Sequence, residues 1–263
     1  MPEQTFGGDD QGGGAGQPKR KIQLSKFGLT PDTNIRDLFW KLMASYAATK
    51  KPGAELSSLE PDRFALMRAA LSVLSSPHGG QYGLAPGFVA DYTARMLMDG
   101  DWKDAFVEFL GRGLEEGGAV AENISSALGR LAAQDEYRER LGAYLGAMIR
   151  DRNANGIAVA YLAGMNDIVF AARMRKELII IARGDIGPNQ MNAISVIARM
   201  KDDPDARKTL VMLLSHWDEG ARLAAAEALS SMAGGQEVRE AAKKRLAEEN
   251  VPEIKKILER MAK

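Results

Sequence analysis

The chain has 263 residues, 45% of them apolar, enough for a continuous core in one elongated array or two ordinary domains. Its 35 Lys and Arg balance 35 Asp and Glu, so no bulk field draws it to nucleic acid or an anionic membrane, and any such binding must come from a local patch. The absence of Cys excludes disulfides, thiolate metal sites and cysteine nucleophiles together, and it fits a reducing compartment.

No apolar run approaches the roughly 18 residues of a membrane span, and the opening MPEQTFGGDDQGGG lacks the basic and apolar blocks of a signal peptide. A soluble cytoplasmic protein without membrane contact is expected. Residues 1–29 begin as a Gly-, Gln-, Asp- and Pro-rich stretch with too little apolar surface to offset the entropy of ordering a backbone, which predicts a flexible tail. The tail runs into Lys19-Arg20-Lys21 and then Ile22, Leu24, Phe27 and Leu29. This segment reads as a solvated lead-in docking its apolar residues on the first helix, or as a linear motif or nucleic-acid arm.

Thr30-Pro31-Asp32 supplies a helix start, and Lys51-Pro52-Gly53 a stop. Between them Ile35, Leu38, Phe39, Leu42, Met43 and Tyr46 form one apolar stripe, with Trp40 off it, either packed on a second helix or exposed as an anchor. Further helices are predicted near 60–75, 86–98 and 102–115. Together they make an N-terminal helical region over 30–116, expected to be continuous with the helices of the C-terminal half. The irregular SSPHGGQYGLAPG, residues 75–87, interrupts it. His78 and Tyr82 are that loop's only suggestion of chemistry, and a lone loop histidine reads as solvated before it reads as a base or ligand.

From Gly117 the composition shifts to alanine and glycine and a repeat becomes legible. Helices are predicted at 118–133 with 135–150, 154–166 with 168–183, 188–201 with 203–215, and 221–232 with 237–248, followed by the start of one more. Met232, Met200, Met165 and Leu131 each close a small-residue helix before a polar turn. The step is about 33 residues, the length of one helix-turn-helix unit, and the short connections force antiparallel neighbours. Gly142 and Gly146 share one face of a helix, where each costs about 1 kcal/mol relative to Ala. Close approach of a neighbouring helix is the expected reason.

The segment Asp218-x-x-Ala221-Arg222-x-x-Ala225-Ala226-x-Ala228-Leu229 resembles the first helix of HEAT repeats, in particular the short repeats of PBS-lyase-like proteins. The likeness is clearest over residues 218–262. Asn250, Ile254 and Lys255 repeat the pattern weakly, and Gln190 stands where the preceding unit would have its Arg. The resemblance implies an all-α fold, an α-solenoid in which antiparallel helix pairs wind into a right-handed superhelix, covering residues 117–263. Among activities known in such proteins, a di-iron site needs several His-Glu pairs; the chain has only His78 and His216, neither followed by Glu. A glycosylase-like use of Trp102, Trp217, Asp101 and Asp218 fits less well than capping and packing, and a bilin-lyase role rests on fold analogy alone. GGDDQGGGAG lacks the Lys-Ser or Lys-Thr ending of a phosphate loop. No catalytic residue, metal site or cofactor is predicted.

In a HEAT stack the second helix of each pair lines the concave face. The most informative second helix is DIVFAARMRKELIIIARG, residues 167–184, with Phe170, Met174, Leu178 and Ile181 as its core stripe. Arg173, Arg175, Lys176 and Arg183 form a basic face interrupted by Ile179 and Ile180, a combination that suggests contact with an acidic, partly apolar segment of a protein partner. Arg150, Arg152, Arg199 and Arg207 are positioned to extend that face. The bland reading packs the isoleucines on adjoining repeats and pairs Glu177 with Arg173. The expected function is a non-enzymatic scaffold or adaptor. Its alternative is a nucleic-acid-binding solenoid using the same cations and the Lys19–Lys21 arm, a field that Asp151, Asp167, Asp185, Asp202, Asp203 and Asp205 dilute.

Overall fold

A computed structural model describes Asn34, Asp37, Phe39 and residues 63–76, 84–184, 186–232 and 235–263. The 1–29 tail with Lys19–Lys21, most of the predicted first helix with Trp40, and His78 and Tyr82 lie outside the described residues. Phe39, placed on the apolar stripe by its spacing, is fully buried. Among the described residues the regular structure is all α-helix, and the chain divides into two compact units, Met1–Leu131 and Ala132–Lys263.

In the first unit, α1 (Arg63–Leu74) packs on α2 (Pro86–Asp99) and α3 (Lys103–Glu116), and α2 on α3. Leu66, Leu71, Leu97, Phe106 and Phe109 are among its buried side chains. The α2–α3 turn depends on small and left-handed positions: Asp101 sits at φ 55, and a Cβ on Gly100 would lie 2.4 Å from Cε2 of the buried Trp102. The helix α4 (Gly118–Ala132) follows, and its Arg130 donates to the Gly87 carbonyl at 2.9 Å.

The second unit is a stack of helical pairs. It holds α5 (Asp135–Arg150), α6 (Asn155–Met165), α7 (Ile168–Ala172), α8 (Arg175–Gly184), α9 (Pro188–Ala198), α10 (Pro204–Leu213), α11 (Glu219–Ser231), α12 (Gln236–Leu246) and α13 (Pro252–Met261). First helices pack on first helices, α6 on α9, α9 on α11 and α11 on α13; the second helices α8 and α10 pack on each other and on α9 and α11. The two layers are what an α-solenoid requires. Asp167, Asp203 and Asp218 each cap a helix, accepting from the backbone N–H three residues on at 2.8–2.9 Å.

One arginine position recurs, four residues after the capping residue. Arg138 donates to the Ala132 carbonyl at 2.7 Å, Arg207 to Lys201 at 3.0 Å, and Arg222 to His216 at 3.0 Å, so each satisfies a carbonyl left open at the preceding turn. Arg199 does the same for α6, donating to the Leu162 and Ala163 carbonyls at 3.1 and 3.0 Å. Arg199 and Arg207, expected to extend a basic surface, are therefore engaged in holding turns.

Two other expectations are corrected. The helix predicted over 168–183 is broken: the N–H groups of Arg173 and Met174 donate to carbonyls three residues back, at Phe170 and Ala171, and this tight turn separates α7 from α8. The core stripe survives it, with Phe170, Met174, Leu178 and Ile181 all buried. Above Gly142 lies the Arg173 guanidinium, 3.7 Å from where a Cβ would stand, and above Gly146 the Arg150 guanidinium, also at 3.7 Å. These glycines thus accommodate side chains at ordinary van der Waals distance, and neither position shows a crowding backbone.

Candidate binding surface

Most polar side chains on the predicted face have a neighbour one repeat away to answer to. Arg173 pairs with Glu139 on α5, and their hydrogen bond holds the Glu139 carboxyl below its ordinary range. Glu177, which the bland reading pairs with Arg173, instead faces Arg150 at 3.2 Å. Arg175 donates to Asp203 at 2.6 Å and approaches Asp205 at 3.5 Å. Burial pushes the Asp203 carboxyl up, but the bonds from Arg175 and the Ala206 N–H outweigh it and hold it down. Arg183 donates to the buried Thr209 hydroxyl at 2.7 Å, which in turn donates to the Asp205 carbonyl at 2.8 Å.

These pairings sort the predicted residues into two kinds. Arg173 and Arg175 spend their charge on carboxylates. Arg183 is anchored by a neutral hydroxyl and keeps its charge, and Lys176 is exposed with no carboxylate partner among the described residues. Ile179 is half-buried, whereas Ile180 is 68% exposed. Helical spacing aligns Lys176, Ile180 and Arg183 on one stripe of α8. An isoleucine at that exposure, held between two cations, is not explained by packing within the stack.

The stripe has a counterpart on α10 that sequence patterning did not single out. Lys208 is exposed there with no carboxylate partner among the described residues, and Met212, one turn on, is 53% exposed. The following turn carries Trp217, 72% exposed, its ring 5.3 Å from that of His216. Trp217 was expected to pack; its ring meets only the edge offered by His216 and stays largely exposed, while its carbonyl accepts from Arg222 at 2.9 Å. The signal was present in the sequence: Met212 is an apolar residue at the outward spacing of a polar stripe, as Ile180 is.

A buried clamp fixes this end of the stack. Glu249 accepts from Arg222 at 2.9 and 3.3 Å, from Arg245 at 3.1 and 3.0 Å, and from the N–H groups of Asn250 and Val251 at 3.0 and 3.1 Å. Burial pushes the carboxyl up, yet these donors overcome it and hold the group at about 2. In the preceding unit, where the sequence pattern set Gln190 against Arg222, the buried Gln190 stands three residues after the cap and not four: its amide donates to the Ala182 carbonyl at 3.0 Å and lies 3.4 Å from Nε2 of His216. His216 in turn accepts from the Asp218 N–H through Nδ1 at 3.1 Å. Gln190 and His216 thereby tie the end of α8 to the end of α10.

Among the described residues no three His, Asp or Glu side chains gather to hold a metal ion, and no helix is long and apolar enough to cross a membrane.

Residues 176–262, the span from α8 to α13, match the family model of HEAT repeats. The HEAT-like character read in residues 218–262 is thus shown, and it begins one and a half units earlier than that reading placed its clearest part. No curated protein matches. Among solved structures, the crystal structure of an engineered protein from the Northeast Structural Genomics Consortium is similar at 17% identity, covering 91% of this chain and 77% of that one, with a TM-score of 0.43.

Proposed function

We propose that this chain is a non-enzymatic scaffold or adaptor whose second-helix face, predicted to be the concave one, binds an acidic, partly apolar segment of a protein partner. Arg173, Arg175, Lys176, Ile179, Ile180 and Arg183 make up the proposed surface. The observation that carries the reading is Ile180, exposed at 68% between Lys176 and Arg183 on a helix that the HEAT-repeat match includes. Stacked repeats present extended surfaces of this kind, and an aliphatic side chain ringed by polar ones is the usual anatomy of a contact core. Within the surface, Lys176, Ile180 and Arg183 contact the partner. Arg173 and Arg175 position α8 through Glu139 and Asp203.

A nucleic-acid reading of the same face is weakened by those ion pairs, because an arginine already neutralised by a carboxylate releases few counterions on meeting phosphate. The test is photocrosslinking from a benzoylphenylalanine at position 180 in native cell extract, with and without nuclease, against a Lys176→Glu, Arg183→Glu variant of unchanged helicity. A protein adduct that withstands nuclease and disappears in the charge-reversed variant is the expected result. A nuclease-sensitive adduct, or a protein adduct indifferent to the charge reversal, refutes the reading.

A further inference from the structure

Resting on the reading of α8 as a binding face, we infer that the site spans two repeats, with Met212 and Trp217 as a second apolar anchor beside Ile180. Its occupant is one continuous acidic segment carrying at least two large apolar side chains. Three observations place the anchors in one site. The helices α8 and α10 pack side by side and run in the same sense, since Arg175 near the start of α8 reaches Asp203 at the start of α10, and Arg183 near its end reaches Thr209. The ends of the two helices converge on Gln190, which bonds Ala182 of α8 and approaches His216 beyond α10. The His216 ring then stacks at a tilt of 31° on Trp217, bringing that exposed indole to the same edge.

The charge around the anchors selects the occupant. Lys176, Arg183 and Lys208 border Ile180 and Met212 with no carboxylate pairing them among the described residues, while Asp203 and Asp205 are turned to Arg175, Glu177 to Arg150, and Asp218 to the Ala221 N–H. A segment crossing this surface meets two apolar positions separated by the spacing of packed helices, roughly 8–10 Å, with cations around both. Carboxylates flanking apolar side chains answer that pattern. A basic or uncharged segment would leave the cations to be desolvated without compensation. Trp217 supplies the large rigid aromatic surface on which binding energy concentrates.

The experiment is to pan a phage library of random 16-residue peptides on the full chain. Fluorescein-labelled copies of the enriched sequences are then measured by anisotropy against wild type, Ile180→Glu, Met212→Glu, Trp217→Ala and, as a control on an exposed apolar residue of the first unit, Phe88→Ala. The expected peptides carry an excess of Asp and Glu and two or more large apolar residues. Ile180→Glu, Met212→Glu and Trp217→Ala should each weaken them at least tenfold, and Phe88→Ala should leave them unchanged. Because the three substituted side chains are exposed, melting temperatures should stay within about 2 °C of wild type. If Ile180→Glu abolishes binding but the Met212 and Trp217 variants bind normally, the two-repeat site is overturned and the α8 surface stands. Enrichment of basic peptides, absence of any enrichment, or indifference to all three substitutions overturns both. So does concentration-dependent dimerisation in sedimentation that Trp217→Ala abolishes, which would assign the strip to a second copy of the chain.

Discussion

Replacing Glu249 by Gln tests whether the last repeats are held by one buried charge. The carboxylate is 1% exposed and accepts six hydrogen bonds, four from the two arginines and two from backbone N–H groups. Holding the group at about 2 against 4.5 for an ordinary glutamate amounts to about 3 kcal/mol, at about 1.4 kcal/mol for each tenfold change in proton affinity. The amide keeps the shape but leaves Arg222, whose side chain is only 10% exposed, without its counter-charge, and breaking a buried pair from one side costs about 3–5 kcal/mol. The sign follows from the direction of the shift. The carboxyl is more acidic folded than unfolded, so its stabilisation is complete above about pH 4.5 and is lost as pH falls towards 2. Urea unfolding followed by circular dichroism should therefore show Glu249→Gln less stable by about 3 kcal/mol at pH 7, with the gap closing between pH 4.5 and 2. In a repeat array the loss is local, so amide exchange should accelerate first in α11, α12 and α13. A gap under about 1 kcal/mol at pH 7, or one that persists unchanged at pH 2.5, would refute the reasoning, because a clamp of this burial and coordination cannot be both cheap to break and insensitive to protonation.

Gly100→Ala puts a methyl group 2.4 Å from the Trp102 ring, and such overpacking should destabilise the first unit by about 1–3 kcal/mol, read as a lower melting temperature and altered near-ultraviolet dichroism. Gly142→Ala and Gly146→Ala meet only guanidinium and ring atoms at 3.7 Å or more; together they should raise stability by about 2 kcal/mol through helix propensity, and a net loss would mean that the helices there approach more tightly than described. Asp203→Ala removes the cap of α10 and should cost about 1 kcal/mol in urea unfolding at pH 7. Asp203→Asn keeps a capping oxygen and should cost distinctly less; equal losses would show that the Arg175 pair dominates over the cap.

The repeat was legible because its punctuation is chemical. Asp167, Asp203 and Asp218 mark helix starts by accepting a backbone N–H, and small residues mark the layer where α6, α9 and α11 stack, so a step of about 33 residues recurs in both composition and structure. The break between α7 and α8 was not legible. No Gly or Pro marks it, and Phe170, Met174, Leu178 and Ile181 keep a helical spacing straight across the turn, so periodicity reports the buried face and is blind to two shortened hydrogen-bonded turns. The role of Gly142 was misread for a related reason. Small residues on one face signal that something approaches closely, and whether it is a backbone or the Arg173 guanidinium is decided by the neighbouring unit.

The charges were the harder part of the surface to read, and the repeat narrows the choice of partners without making it. Counting cations along one helix made Arg173, Arg175, Lys176 and Arg183 equivalent, because a stripe on a helical wheel takes no account of the next helix. In a stack the partner of a second-helix residue lies about one repeat away, and Glu139 with Arg173, Arg150 with Glu177, Arg175 with Asp203 and Arg222 with Glu249 all obey that offset. Applied to the sequence, the offset only names candidates, Asp203 and Asp205 for Lys176 as well as for Arg175, and Glu177 and Glu240 for Lys208, so it is the folded stack that separates the arginines a neighbour neutralises from the cations left over. It leaves Lys176 and Lys208 without a carboxylate among the described residues, with Arg183 on a hydroxyl, and the exposed Ile180 and Met212 lie among these. A face with few free charges and several exposed apolar groups should bind with a shallow salt dependence. Raising salt from about 50 to about 200 mM should therefore cost the selected peptides less than about tenfold in affinity, against the roughly 10³-fold or greater loss expected where about six or more cations meet phosphates. A loss of the larger kind would return the paired arginines to the binding surface and with them the nucleic-acid reading.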